Sequence, residues 1–193
     1  MAIRQPKNRP TPPKRPAWQS RYHGVRMTPE EYLALPEEKP YLEYIDGMVV
    51  QKPMVNTEHA LLAVEIAMRL RLWADPRKAG KVGVEARMRA GDLPNYRLPD
   101  VSFWSPLGAL NEDQPPTLAV EIRSPGQTLE ELRAKCRSLR GGGVAACWLI
   151  DPASRSAETF DSLNDATPVS VLRAAELPGF SLALDELFAV LGR

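Results

Sequence analysis

The 193-residue sequence predicts an α/β (α+β) fold: a mixed β-sheet flanked by helices, with an N-terminal helix and a β-hairpin. Three observations predict it. Asp46-Gly47 separates two β-rich runs, which is a strong signal for a two-residue hairpin turn. Segments 58–74 and 129–140 repeat apolar residues at helical spacing. Short apolar or alternating runs lie between and after them, without a regular strand–helix alternation.

The first two elements follow from local signals. Thr28 suits a helix N-cap, Pro29 the first helical position and Glu30 the first turn, so a short helix is expected to run to about Leu35. The hairpin of residues 41–51 follows it.

The long helix is expected to begin after Asn56 or Thr57, either of which suits an N-cap. Its apolar positions form one stripe and a second set that widens it, so we expect neighbouring structure to cover much of its circumference. The stripe consists of Leu61, Val64, Met68 and Leu72, and the second set of Leu62, Ile66 and Trp73.

The remaining elements complete the sheet. Strands are predicted at 81–91, 100–104, 117–123, 144–151, 157–161 and 169–174, and a last small helix at 184–191. Thr128 and Glu131 form a capping-box pattern, which marks the start of the helix at 129–140.

The length suits one domain. Residues 1–26 are predicted to be a basic, proline-rich, disordered arm, and residues 27–193 a single domain. Residues 1–28 hold seven of the 25 Lys and Arg residues and none of the 24 Asp and Glu residues. Such an arm is either a solvated tail or a weak, non-specific phosphate contact. Met27 directly precedes the first helix signal and is a candidate translation start.

Composition excludes several classes of protein. No apolar run approaches the ~18 residues of a membrane span, and the first residues lack a secretory signal. The two cysteines, Cys136 and Cys147, make neither a zinc site nor a disulfide framework. A cytoplasmic bacterial protein with reduced thiols and no membrane contact is expected.

Two carboxylates stand in apolar runs that read as buried strands. Asp100 begins one run and Glu121 lies in another, and if the two strands pair, both carboxylates share one face of the sheet. Two close carboxylates raise each other's pKa, and a divalent cation between them removes that penalty. Oxygen ligands suit Mg²⁺ or Mn²⁺.

A lysine follows on the next helix. Lys135 lies on the border of the apolar stripe that includes Leu132, so its ammonium group can reach a nearby polar site. The plainer interpretation is that Lys135 is solvated and that Arg97 or Arg123 pairs with the carboxylates. Under the metal hypothesis Asp100→Ala stabilises the metal-free protein by relieving repulsion; under arginine pairing it destabilises the fold by a few kcal/mol.

Seven segments, in this order and spacing, resemble the Uma-two family of putative restriction endonucleases in the PD-(D/E)XK nuclease superfamily. They are MTPEEYLALP, YLEYIDGMVV, the histidine at 59, RLPDVSFW, LAVEIRSP, GVAACWLIDP and LPGFSLALDELF. The resemblance covers roughly residues 27–190. It implies a restriction-endonuclease-like core and Mg²⁺-dependent (or Mn²⁺-dependent) hydrolysis of phosphodiester bonds in nucleic acid, DNA being the expected substrate.

The resemblance also implies roles for single residues. Asp100 and Glu121, with the Ile122 carbonyl, would hold the metal. The superfamily's usual lysine two residues after the glutamate is Arg123 here, and Lys135 resembles the lysine that the family displaces onto the next helix.

Three further positions are candidates beside these. Glu43 and His59 match polar positions of the family's site, although an exposed neutral imidazole is the plain alternative for His59. Arg123 is either a second cation at the scissile phosphate or a structural partner of Glu121.

The sequence is compatible with two other functions. Gly126, Leu139 and the Ala145-Ala146-Cys147 run depart from the family pattern, which favours a catalytically degenerate nuclease fold that binds nucleic acid or protein. An ordinary interaction domain is the other. Superfamily members are often dimers, so a homodimer is a further expectation, without a predicted interface.

Overall fold

The computed structural model describes residues 15–91, 94–105 and 114–192. Its helices are α1 (Pro29–Leu33), α2 (Thr57–Arg77), α3 (Leu129–Gly141) and α4 (Leu184–Phe188), followed by a 3-10 turn, Ala189–Leu191. Its strands are β1 (Leu42–Ile45), β2 (Met48–Gln51), β3 (Lys81–Val84), β4 (Met88–Ala90), β5 (Asn95–Arg97), β6 (Val101–Trp104), β7 (Leu118–Ile122), β8 (Ala146–Asp151), β9 (Ser156–Phe160), β10 (Thr167–Val169), β11 (Val171–Leu172) and β12 (Leu182–Ala183).

Two sheets organise these residues. The larger has six strands in the order β10-β9-β8-β7-β6-β3, and the smaller has four in the order β2-β1-β5-β4; β11 and β12 pair separately. In the larger sheet β7 pairs in parallel with β8 and antiparallel with β6. The mixed sheet flanked by helices that the sequence predicts is confirmed.

The central strands are buried on both faces. Every residue of β7 and of β8 is buried. One face packs against α2 through residues such as Val101 and Val120, and the other against α3 through residues such as Ala119 and Leu149. Continuous apolar runs, rather than alternating ones, are typical of strands covered on both sides.

The chain that precedes α1 bonds to β2, at the edge of the smaller sheet. Gly24 N–H donates to the Val49 carbonyl, and Val49 N–H to the Val25 carbonyl. Tyr22 and Met27 pack against the tyrosine cluster, the neighbouring rings of Tyr32 on α1, Tyr44 on β1 and Tyr96 on β5. Residues 20–26, which the sequence placed in the disordered arm, therefore join the hairpin, while residues 1–14 lie outside the described residues.

The long helix buries a different face from the main stripe that was expected. The buried positions include Leu62, Ile66, Leu70 and Trp73, whereas the stripe of Leu61, Val64, Met68 and Leu72 is exposed. The second set of Leu62, Ile66 and Trp73 is covered as expected, whereas the expectation that neighbouring structure also covers the stripe was wrong. Both faces are apolar at helical spacing, so periodicity alone does not choose between them.

The predicted strand at 81–91 is two strands in two sheets. β3 pairs with β6 in the larger sheet, and β4 pairs with β5 in the smaller. Glu85 stands between them at φ +47°, in the left-handed region, which breaks the extended chain. The three-residue β5 was not predicted, since it carries too short a run for a periodic signal.

Among the described residues no helix is long and apolar enough to span a membrane.

Both predicted helix starts in the core have their expected caps: the Asn56 side chain accepts the His59 N–H, and Thr128 and Glu131 form the reciprocal capping box of α3. These caps place His59 and Lys135 at defined points beside the sheets.

Candidate active site

A buried cluster of charged residues lies where the two sheets meet. The smaller sheet supplies residues from β1, β5 and the end of β2, the larger sheet supplies residues from β7 and the start of β6, and α2 and α3 supply one residue each. The cluster consists of Glu43 and Arg97 on β1 and β5, Lys52 after β2, Asp100 before β6, Glu121 on β7, His59 on α2 and Lys135 on α3.

Asp100 and Glu121 are brought together by strand pairing. Val101 is opposite Val120 in the antiparallel β6–β7 ladder, and Asp100 N–H donates to the Val120 carbonyl at 3.0 Å. The next position outward places Asp100 beside Glu121, and both line one small cleft with His59 and Lys135. The predicted pairing of the two strands is confirmed.

Asp100 is fully engaged. Its Oδ2 accepts the Ile122 N–H at 2.8 Å and lies 3.0 Å from His59 Nε2. Its Oδ1 accepts the Lys52 ammonium group at 2.9 Å. His59 is buried, so the exposed imidazole considered from the sequence is not what the structure shows.

Lys135 bridges two carboxylates. Its Nζ lies 2.9 Å from Glu43 Oε1 and 2.9 Å from Glu121 Oε2. The border position on α3 thus carries the ammonium group into the cluster, as its helical position predicts. Glu121 Oε1 is buried and has no hydrogen-bond partner among the described residues.

Glu43 organises the edge of the cluster. Besides Lys135, it accepts the Leu98 N–H at 3.0 Å and lies 3.4 Å from Arg97 Nη1. Arg97, one of the two arginines proposed as a partner for the strand carboxylates, pairs with Glu43 instead.

The three buried carboxylates differ in the direction in which their pKa values are shifted. Burial raises the pKa of Glu121 to about 7, and the neighbouring Asp100 adds to this against the opposing Lys135. Burial alone would also raise the pKa of Asp100, but Lys52 and His59 outweigh it and hold it well below its usual value. For Glu43, likewise, Lys135 and Arg97 outweigh burial and lower the pKa to about 2.

Arg123 lies away from this cluster. Its Nη1 lies 3.2 Å from Asp151 Oδ2, and its Nε donates to the Gln127 carbonyl. The structure therefore shows no contact between Arg123 and Glu121, contrary to the structural alternative considered from the sequence. Its role as a second cation stays a prediction.

Two residues of the site were missed from the sequence. Lys52 contacts Asp100, and Glu85 Oε1 lies 3.6 Å from the same ammonium group. Neither residue belongs to a recognised sequence motif. Lys52 is 48 positions from Asp100 in the chain, so their contact forms only when the hairpin packs on the larger sheet.

The donor set fits a hard divalent cation. Glu121 Oε1 has no partner among the described residues, and Asp100 lines the same cleft. Carboxylate oxygens are the ligands that Mg²⁺ and Mn²⁺ prefer. Among the described residues no group of three or more His, Cys, Asp and Glu side chains is arranged to hold a metal. Mg²⁺ commonly takes one or two carboxylates and completes its shell with water and substrate phosphate, so two are compatible with it.

Comparison with known proteins adds a family. Residues 29–188 match the model of the Uma2 family, described as "Putative restriction endonuclease". No curated protein matches the chain.

A solved structure shares the fold. A putative nuclease belonging to DUF820, from Anabaena variabilis ATCC 29413, aligns with a TM-score of 0.77 at 23% identity, over 86% of this chain and 99% of that one. A DrdV–DNA complex aligns with a TM-score of 0.40 at 16% identity, over 67% of this chain and 10% of that one.

Proposed function

Because the chain belongs to the Uma2 family of putative restriction endonucleases, we propose that it is a Mg²⁺-dependent endonuclease that hydrolyses phosphodiester bonds of DNA. The observation that carries the proposal is the buried cluster itself. Asp100, Glu121 and Lys135 come from three separate elements into one cleft, and one oxygen of Glu121 has no partner among the described residues. Glu38 Oε1 and Glu176 Oε2 are also buried without a partner among the described residues, so it is the convergence of the three side chains that supports the proposal.

The residues divide the work between them. Asp100 and Glu121 would hold the cation, whose bound form supplies a Lewis acid and a water of lowered pKa. Lys135 would stabilise the negative charge that develops on the phosphate and orient the attacking water. Glu43 would keep the Lys135 ammonium group charged and in place, and His59 would fix the Asp100 carboxylate through Oδ2.

Single substitutions test this division. We expect Asp100→Asn and Glu121→Gln each to abolish cleavage of plasmid DNA and to weaken Mn²⁺ binding by at least tenfold. Lys135→Met should retain Mn²⁺ binding and slow cleavage by roughly a hundredfold or more, since it removes one charge-stabilising group. Isothermal titration measures binding, and a gel assay measures cleavage.

Lys78→Met is a control for loss of positive charge, because Lys78 follows the end of α2 and has no contact with the cluster among the described interactions. Equal cleavage by Lys135→Met and the native chain would contradict the role given to Lys135. Cleavage that survives both carboxylate substitutions would contradict the whole assignment.

One observation favours a second candidate function. The chain's own lysines already pair with both carboxylates, which suits a nuclease fold that binds nucleic acid without cutting it. Binding of DNA with no cleavage at millimolar Mg²⁺ or Mn²⁺ would support this binding module over the enzyme.

A further inference from the structure

Lys52 is a cation built into the carboxylate pair. Its side chain is 7% exposed, and its ammonium group donates to Asp100 Oδ1 at 2.9 Å and to the Leu98 carbonyl at 2.8 Å. The hairpin fixes its backbone, since Lys52 N–H donates to the Tyr41 carbonyl. A buried ammonium group is stable only when paired in this way.

The ammonium group occupies the oxygen that a metal would need. Asp100 Oδ2 already accepts one N–H and faces His59, which leaves Oδ1 as the oxygen best able to bind a cation. A divalent ion at Oδ1 would lie next to a positive charge in a buried setting, where like charges repel strongly.

The charge balance of the cluster points the same way. Three buried carboxylates, Glu43, Asp100 and Glu121, face three cations, Lys52, Arg97 and Lys135. Even with the partly exposed Glu85 counted as a fourth carboxylate, adding a divalent ion to this set leaves an excess of one positive charge. Removing one ammonium group from the set reduces that excess.

Glu85 is a second carboxylate within reach of the Lys52 ammonium group, besides Asp100. Glu85 Oε1 lies 3.6 Å from Lys52 Nζ, and the Glu85 side chain is 34% exposed. Glu85 holds a left-handed backbone conformation at φ +47°, a strained state for a residue with a side chain. An ammonium group that leaves Asp100 therefore finds a carboxylate within a small movement, closer to solvent.

We propose that Lys52 competes with the divalent metal for Asp100, and that metal binding moves its ammonium group from Asp100 to Glu85. Lys52 is then a positioning residue that holds the carboxylates in the metal-free protein and sets a weak affinity for the metal. This inference rests on the proposed function, since it takes the carboxylate pair as the metal site.

Binding of Mn²⁺ to the metal-free full chain tests the competition. Free Mn²⁺ is measured by electron paramagnetic resonance for the native chain and three variants. Lys52→Met keeps the apolar stem and should bind Mn²⁺ at least tenfold more tightly. Lys52→Arg retains the charge and should bind as weakly as the native chain. Lys81→Met, an exposed position on β3, makes the same net charge change outside the cluster and should leave the affinity unchanged.

The outcomes separate this inference from the proposed function. Equal affinity of the native chain and Lys52→Met overturns the competition and leaves the nuclease proposal standing. Binding by Lys52→Met with none by the native chain supports the competition and contradicts metal dependence of the native chain. Binding by neither overturns both.

A measurement on the native chain applies even if Lys52→Met does not fold. Amine acetylation followed by peptide mass spectrometry reports the accessibility of each lysine. We expect saturating Mn²⁺ to increase acetylation of Lys52 several-fold and to leave Lys81 unchanged. Acetylation of Lys52 that stays constant or falls would show that the ammonium group does not leave Asp100.

Discussion

Asp100 illustrates how a buried carboxylate is held by several partners at once. Its two oxygens receive Lys52, the Ile122 N–H and His59, so in the metal-free protein the carboxylate is a partner of buried cations rather than a repelled neighbour of Glu121. The partners are a lysine and a histidine, whereas the sequence suggested either a metal or an arginine.

These contacts reverse the expected effect of removing Asp100 under the metal hypothesis. We expect Asp100→Ala to lower the free energy of unfolding of the metal-free protein by about 3–5 kcal/mol, because it leaves the buried Lys52 unpaired. Urea denaturation in the presence of a chelator measures it. Asp165→Ala, which removes an exposed partner of Arg137, is the control and should cost less than about 1 kcal/mol. A more stable Asp100→Ala protein would show that repulsion from Glu121 dominates.

Glu43 gives the site an acid-sensitive contribution to stability. Its folded-state pKa of about 2 lies below the unfolded value of 4.5, so its contribution is fully present above pH 4.5 and is lost as the pH falls towards 2. The shift corresponds to about 3 kcal/mol.

The linked measurement compares the native chain with Glu43→Gln. We expect the difference between their free energies of unfolding to shrink by about 3 kcal/mol between pH 5 and pH 2, since the substitution removes the titrating group. Chemical denaturation at each pH measures the difference. A difference that is constant over this range would mean that Glu43 titrates at its ordinary pKa.

At the scale of the element, α3 is the part of the site that local signals describe best. Its capping box and its border lysine depend on residues within a few positions of each other, so both are predictable from the sequence. The face of α2 was not predictable in the same way. Two apolar faces compete there, and only the position of the sheet decides which one is buried.

The glycines at the end of α3 have unequal roles. A Cβ added at Gly142 would lie 2.9 Å from the Cα and Cβ of Ala90 and from Gly91 N, whereas a Cβ at Gly141 meets nothing within 4 Å. Gly142 therefore allows α3 to approach β4 closely.

This pair offers a matched test. We expect Gly142→Ala to lower the free energy of unfolding by about 1–3 kcal/mol, because the backbone of β4 must move. Gly141→Ala should be neutral or raise it by up to about 1 kcal/mol, as alanine does in an exposed helix. Thermal unfolding compares the two. If both variants lose equal stability, the close approach is not the reason for Gly142.

At the scale of the whole molecule, the folded region begins before the first helix. Val25, Gly24 and His23 bond to β2, and Tyr22 packs on the tyrosine cluster. The sequence placed the boundary at residue 27 because basic residues continue to Arg26 and the first helix signal follows Met27 directly. The bonds that fix residues 20–26 run to a strand about 25 positions later and leave no local pattern.

Two shortened chains test where the folded unit starts. We expect a chain that begins at Met27 to melt roughly 5 °C below one that begins at Arg15. It loses two backbone hydrogen bonds to β2 and the bond to the His23 ring, at a net ~1 kcal/mol each or less, and the packing of Tyr22. Differential scanning calorimetry measures both. Identical melting temperatures would place the start of the folded unit at Met27.

Distance along the chain decides how much of the site could be predicted from the sequence. Asp100, Glu121 and Lys135 lie within one stretch of strand, strand and helix, so their shared cleft follows from register and helical spacing. Lys52 follows a strand of the smaller sheet, and Glu85 lies in the bend between β3 and β4, where the chain passes from one sheet to the other. No local pattern encodes how the two sheets pack together. The fold class was therefore accessible from the sequence, and the ion pairs between the two sheets were not.

The long separation in the chain between ion-pair partners of the cluster also affects when their contacts form during synthesis. Glu43 and Lys135 contact each other but are separated by more than half of the described domain. A ribosome adding about 5–20 residues per second needs several seconds to pass from one to the other. Until α3 has emerged and docked, the growing chain has carboxylates without their lysine. The ion pairs of Lys135 with Glu43 and Glu121 therefore form only late in the synthesis of the chain.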